Sequence, residues 1–206
     1  MKQLLLDIQL PAKPSLDNFL VGSNAEAIHT ISQSLTAQAT QRFIYLWGAP
    51  GSGKTHLLSA TRDAAEGLGK SLVMADDVQD FSEQQQIDLF NAYNQAREND
   101  SLVLVAGNAS PMQMGLRDDL ASRLAWGVTY QLHPLSDEEK AQALKARAKQ
   151  RGMKLPDDVV DYCFRYLRRD LPSLMATLDA LDQWSLTEKK PITVAMLRKL
   201  IQVPLL

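Results

Sequence analysis

Short, unbroken apolar runs separated by longer stretches of helical period set the pattern of this chain. "RFIYLW" (Arg42 to Trp47), "SLVMA" (Ser71 to Ala75) and "SLVLVAG" (Ser101 to Gly107) are three such runs, and "GVTYQL" (Gly127 to Leu132) is a fourth. Runs rich in branched and aromatic side chains, without polar alternation, suit strands covered on both faces, as in a parallel sheet. Between them the period changes. Ile28, Ile31 and Leu35 share one face of a helix entered at Ser23 or Asn24, either a good N-cap. Ser82 and Gln85 have capping-box spacing ahead of a helix carrying Ile87, Phe90 and Tyr93. Strands alternating with helices predict an α/β sandwich.

After Pro134 only the helical period remains. Ser136 and Glu139 form a second capping box, opening a helix that stops near Gly152. Pro156 starts another that runs to about Arg169, and Asp170 caps a third with Pro172 in its first turn. A last helix spans about Thr193 to Gln202. The expected organisation is an apolar N-terminal peptide and tether (1–14), an α/β core (15–133) and a small all-helical domain (134–206).

Composition narrows the setting. A formal charge of −2 over 206 residues gives no general attraction to nucleic acid, so no strong direct DNA binding is expected. One cysteine, Cys163, makes no intramolecular disulfide and fits a reducing, cytoplasmic location. The apolar start, Leu4 to Leu6, is too short for a signal peptide and is interrupted by Asp7. No eighteen-residue apolar run exists to span a membrane.

The chemistry follows the first strand. In "WGAPGSGKTH", Gly48, Gly53, Lys54 and Thr55 complete G-x-x-x-x-G-K-[ST], and Pro50, Gly51, Ser52 and His56 lie within or beside the loop. Glycines let backbone N–H groups wrap an anion, and the following helix adds its positive N-terminal end. Lys54 would reach the β- and γ-phosphates of ADP or ATP, and the Thr55 hydroxyl would ligate Mg²⁺. "LVMADDVQ" ends a strand in two acids, where Asp76 could hold Mg²⁺ through water and Asp77 could orient an attacking water. Asn108 is placed either to sense the γ-phosphate or simply to turn the chain before Ser110-Pro111. Arg123, in "DDLASRLAWG", is either a solvated helical charge or an arginine presented to a neighbour's nucleotide.

In order, "NFLVG", "GAPGSGKTH", "LVMADDVQ", "DLFNAYN" and "DDLASRLAWG", followed by a helical segment, resemble the DnaA-like AAA+ ATPase family over about residues 16–204. The resemblance implies a phosphate-loop parallel sheet sandwiched by helices, followed by a helical lid. DnaA continues into a helix-turn-helix domain, whereas this sequence stops at Leu206, a pattern similar to Hda-like regulatory inactivators of DnaA. In that branch the N-terminal peptide binds the replicative sliding clamp (β subunit) through a motif close to Q-L-x-L-x-L, which Gln3, Leu4, Leu6 and Ile8 fit in spacing. The alternative is that Leu4 to Leu6 pack on the body as an edge strand. The resemblance implies an adaptor that promotes hydrolysis of DnaA-bound ATP, with Arg123 as the finger, little hydrolysis of its own, and room for a homodimer. A stand-alone ATPase of the helicase-loader kind is the competing reading.

Two departures from the family stand out. Only residues 56–70 separate the phosphate loop from the two-acid strand, room for one helix, so a core of four parallel strands is expected. Pro172 falls where the family places a nucleotide-contacting lid arginine, with Arg168 and Arg169 nearby as substitutes or as helix-end charges. The choice between ADP and ATP hangs on that position.

Overall fold

A computed structural model of the chain describes residues 13–36 and 38–202. These divide into two units, Lys13–Leu135 and the segment from Ser136 onward.

The first unit is a sheet of four parallel strands: β1 (Phe43–Trp47), β2 (Leu72–Ala75), β3 (Leu102–Gly107) and β4 (Val128–Gln131), in the order β2-β3-β1-β4. Helices α1 (Ala25–Ser34), α2 (Lys54–Gly67), α3 (Glu83–Glu98) and α4 (Asp118–Trp126) cover it. Successive strand residues face opposite sides. Ile44, Leu46, Leu102 and Leu104 therefore pack with Ile31, Leu57 and Leu58 of α1 and α2. Tyr45, Val103 and Val105 pack with Tyr93, Leu120 and Leu124 of α3 and α4. Every residue of β3 is buried, the expected state of a central strand covered on both faces.

The four-strand expectation holds. From the end of α2 the chain turns at Gly69 (φ +63°) and enters β2 directly, leaving β2 with one neighbour among the described residues. The α3 capping box forms as expected: Ser82 Oγ accepts from Gln85 N, and Ser82 N donates to Gln85 Oε1.

Asn24 behaves differently. It stands at the N-cap position of α1 without capping it. Its amide instead donates to the His133 carbonyl (2.9 Å) and accepts from His133 N (2.8 Å), stitching the start of α1 to the chain leaving β4. A buried amide satisfied at both ends by a distant backbone outcompetes the local cap.

Among the described residues the second unit has four helices, α5 (Asp137–Gln150), α6 (Asp157–Tyr166), α7 (Leu171–Glu188) and α8 (Val194–Gln202). Leu144, Val159, Leu174, Leu178, Leu181 and Leu197 form its core. The Ser136 capping box is present, and Asp170 accepts from Ser173 N at the head of α7. α6 ends at Tyr166, three residues short of the expected Arg169. Leu167 is extended (φ −110°, ψ 170°) and packs against the core, which frees the chain to present the Asp170 cap.

Candidate nucleotide site

The site grows from the carboxyl end of β1. After Trp47 the backbone folds through Gly48, where an added Cβ would collide with the Leu132 carbonyl oxygen. Gly53 N-caps α2 in the left-handed region (φ +96°), and a Cβ there would come within 2.6 Å of the Phe19 ring. Glycine is required at both places, by contact at the first and by contact and φ at the second. Pro50 and Gly51 are exposed in the turn, and Ser52 N donates to Ala49 O at 3.2 Å. The Ser52 hydroxyl is buried with no hydrogen-bond partner among the described residues, a polar atom that a bound anion could satisfy.

Lys54 is buried and folds back over the loop, its Nζ donating to Gly48 O at 2.7 Å and Ala49 O at 3.3 Å. An ammonium held by two neutral carbonyls is well placed to exchange them for the stronger acceptor a phosphate offers. Thr55 Oγ1 donates to Asp76 Oδ2 at 2.7 Å, bringing the first turn of α2 to the end of β2. These two hard oxygen groups fit Mg²⁺, which takes one or two protein oxygens and completes its shell with phosphate and water. Among the described residues no group of three or more His, Cys, Asp or Glu could hold a metal, so phosphate and water oxygens would supply the remaining ligands.

Asp76 also accepts from Asp77 N through Oδ1 at 2.9 Å. Asp77 is exposed and left-handed (φ +49°), with its carboxylate receiving Gln79 Nε2 at 3.1 Å. Gln79 in turn accepts from Asn108 N at 3.1 Å. One glutamine thus couples the acid turn after β2 to the turn after β3. Nothing in the sequence singled it out; lying two residues past the acid pair was the available signal. Tyr45 was also missed. From inside β1 its hydroxyl donates to Ala109 O at 2.9 Å, and it would collide with a Cβ at Gly107, so it fixes the turn that carries Asn108. Burial raises the pKa of that hydroxyl well above the ordinary phenol value, keeping it a donor.

Two expected residues stand apart from this cluster. His56 turns toward the entering chain, with Nε2 3.1 Å from Ser15 O and its ring edge-on to Phe19. Arg123, half-buried in the last turn of α4, lies over the Phe90 ring at 5.7 Å. The Tyr93 hydroxyl there is pushed up to about 12 by burial, with the Arg123 and Arg97 charges opposing that rise. In the second unit, Pro172 sits in the first turn of α7. Arg168 pairs with Asp170 (3.2 Å) and Arg169 with Asp137 (2.9 Å), so both are already engaged with acids. Gln3, Leu4, Leu6 and Ile8 lie outside the described residues.

Known proteins match both units. The family model "Hda, lid domain" matches residues 137–201, and the model of the bacterial DnaA ATPase domain matches residues 10–71. Domain III of DnaA from Thermotoga maritima is similar at TM-score 0.73 and 18% identity, over 92% of this chain and 95% of that one. AMPPCP-bound DnaA from Aquifex aeolicus aligns at TM-score 0.69 and 22% identity, over 87% of this chain and 71% of that one. The branch-migration motor RuvB of Thermotoga maritima aligns at TM-score 0.61 and 15% identity, over 92% and 72%. At these identities the structural likenesses establish the fold alone, a parallel α/β sheet core followed by a small helical unit.

Proposed function

We propose that this chain, which matches the Hda lid over residues 137–201 and the DnaA ATPase domain over residues 10–71, is an Hda-like, nucleotide-bound negative regulator of replication initiation acting on DnaA. The observation that carries the reading is the pairing, on one chain, of an Hda lid match with a DnaA ATPase match spanning a complete phosphate loop. In this reading Gly48, Gly51, Ser52, Gly53 and Lys54 bind the phosphates of ADP or ATP, with Pro50 shaping the turn and His56 anchoring the chain beside it. Thr55 and Asp76 hold Mg²⁺, Asp77 orients water and Asn108 reads the terminal phosphate.

The action on DnaA has two parts. Gln3, Leu4, Leu6 and Ile8 dock on the sliding clamp, the apolar side chains in a cleft and the Gln3 amide held by hydrogen bonds. Arg123 is offered to the nucleotide carried by DnaA. Its seat on Phe90 supports this: a guanidinium lying on an aromatic face is oriented while its N–H donors stay available for phosphate. An arginine so used stabilises transition-state charge and is worth roughly 10³–10⁵ in rate.

Arg123→Ala should keep binding clamp and ADP while losing stimulation of DnaA-bound ATP hydrolysis by about 10³-fold or more. Full stimulation by that variant would sink the finger assignment. Gln3→Ala and Leu6→Ala should each abolish capture by purified clamp, and unchanged capture removes the docking peptide. Steady ATP turnover by the protein alone would replace the regulator with a self-acting ATPase.

A further inference from the structure

The second unit carries a tyrosine stack at its surface. Tyr162 and Tyr166 lie one turn apart on α6, ring centroids 4.3 Å apart and planes 35° to each other. The Arg198 guanidinium of α8 lies 5.3 Å above Tyr162. Tyr162 is half-buried and packs on the core, but Tyr166 is 60% exposed and its outer face is open to solvent.

The charge around the stack is also unusual for this protein. Arg165, between the two rings in sequence, and Arg198 are exposed and form no ion pair among the described residues. Most other arginines of this unit do pair: Arg151 with Asp179, Arg168 with Asp170 and Arg169 with Asp137. From Ser136 to Leu206 there are 13 Lys and Arg against 10 Asp and Glu, whereas the preceding residues hold 9 against 14. The net charge of −2 is therefore the sum of a basic helical segment and an acidic segment preceding it.

We propose that this face binds single-stranded nucleic acid. A base laid on the outer face of Tyr166 continues the stack begun by Tyr162, and Arg165 and Arg198 neutralise the phosphates on either side. Stacking of this kind is tolerant of sequence, because every base has a π-face. Duplex DNA fits poorly, since its bases are already stacked on one another. Asp158 and Asp161, on the same helix, reduce the local potential. Stacking rather than charge then carries the binding, with a Kd of about 10–100 µM and a shallow salt dependence.

Fluorescence anisotropy of labelled dT12 and rU12 titrated with the full chain tests this. Both should bind with similar affinity, because neither the stack nor the two arginines discriminate at the 2′ position. The slope of log K against log salt should be about −1.4, the value for the two phosphates that Arg165 and Arg198 neutralise on a single strand. Tyr166→Ala should weaken binding about fivefold or more, while Tyr166→Phe, which keeps the ring, binds as the wild type. Both variants should melt as the wild type does, because the side chain is mostly outside the core. Inorganic polyphosphate, with charge but no bases, should be insensitive to Tyr166→Ala. Failure of both oligonucleotides to bind, or undiminished binding by Tyr166→Ala, overturns the proposal. So does an equal loss of polyphosphate binding.

Discussion

A methyl group added to Gly48 would strike the Leu132 carbonyl oxygen and stand 3.2 Å from the Ser52 hydroxyl, so the first glycine of the loop also fixes the loop against the end of β4. At Gly51 the space is open, but the backbone is left-handed (φ +80°). Gly48→Ala should therefore destabilise the protein by about 1–3 kcal/mol through overpacking and weaken ADP binding sharply. Gly51→Ala should cost only about 1–2 kcal/mol of backbone strain. Urea denaturation and titration with a fluorescent ADP analogue separate the two; equal effects would mean that contact with Leu132 does not shape the loop. At this scale the motif was readable because Lys54, Thr55 and the glycines act through spacing along the chain. Gln79 and Tyr45 were not, because they act through hydrogen bonds to residues 29 and 64 positions away.

Elements in this chain are started more firmly than they are stopped. Ser82, Ser136 and Asp170 all cap the helices they announce, because a cap needs only a side chain and an N–H three residues on. The end of α6 depended instead on Leu167 finding the core. Asp170 gives the cap a measurable signature. Hydrogen bonds from Ser173, followed by the Arg168 charge, hold its carboxyl below the ordinary aspartate value. A depressed folded pKa gives stability that is present above the unfolded value, about 3.9, and lost as pH falls through the lower folded one. Asp170→Ala should cost about 1 kcal/mol at pH 7. Its difference from the wild type should shrink below about pH 4. Asp170→Asn, an uncharged cap, should lose less and show no such pH trend. Denaturation at pH 7 and pH 3 checks this, and a pH-independent deficit in Asp170→Ala would remove the charged cap.

On the scale of the molecule, the described residues form two units whose cores share no residue: one cluster on each face of the sheet in the first, and the leucine cluster of the four helices in the second. The second is large enough to fold alone, since domains of about 55–65 residues commonly do. Residues 136–206 expressed by themselves should show a cooperative thermal transition, and Leu174→Ala should lower their stability by about 2–5 kcal/mol. Non-cooperative melting of that fragment would mean its core is incomplete without the first unit.

By itself the sequence determined the four strand segments, the phosphate loop between strand and helix, the metal pair Thr55 and Asp76 as candidates, and the shift to an all-helical second half. Each is written in the period or spacing of a few neighbouring residues, where local sterics and hydrogen bonding decide. Only the tertiary structure decided the strand order β2-β3-β1-β4, the use of the Asn24 amide on a backbone 109 residues away, and the seat of Arg123 on Phe90. Those depend on which buried surfaces and unsatisfied polar groups meet once the chain has collapsed, and no local pattern records that.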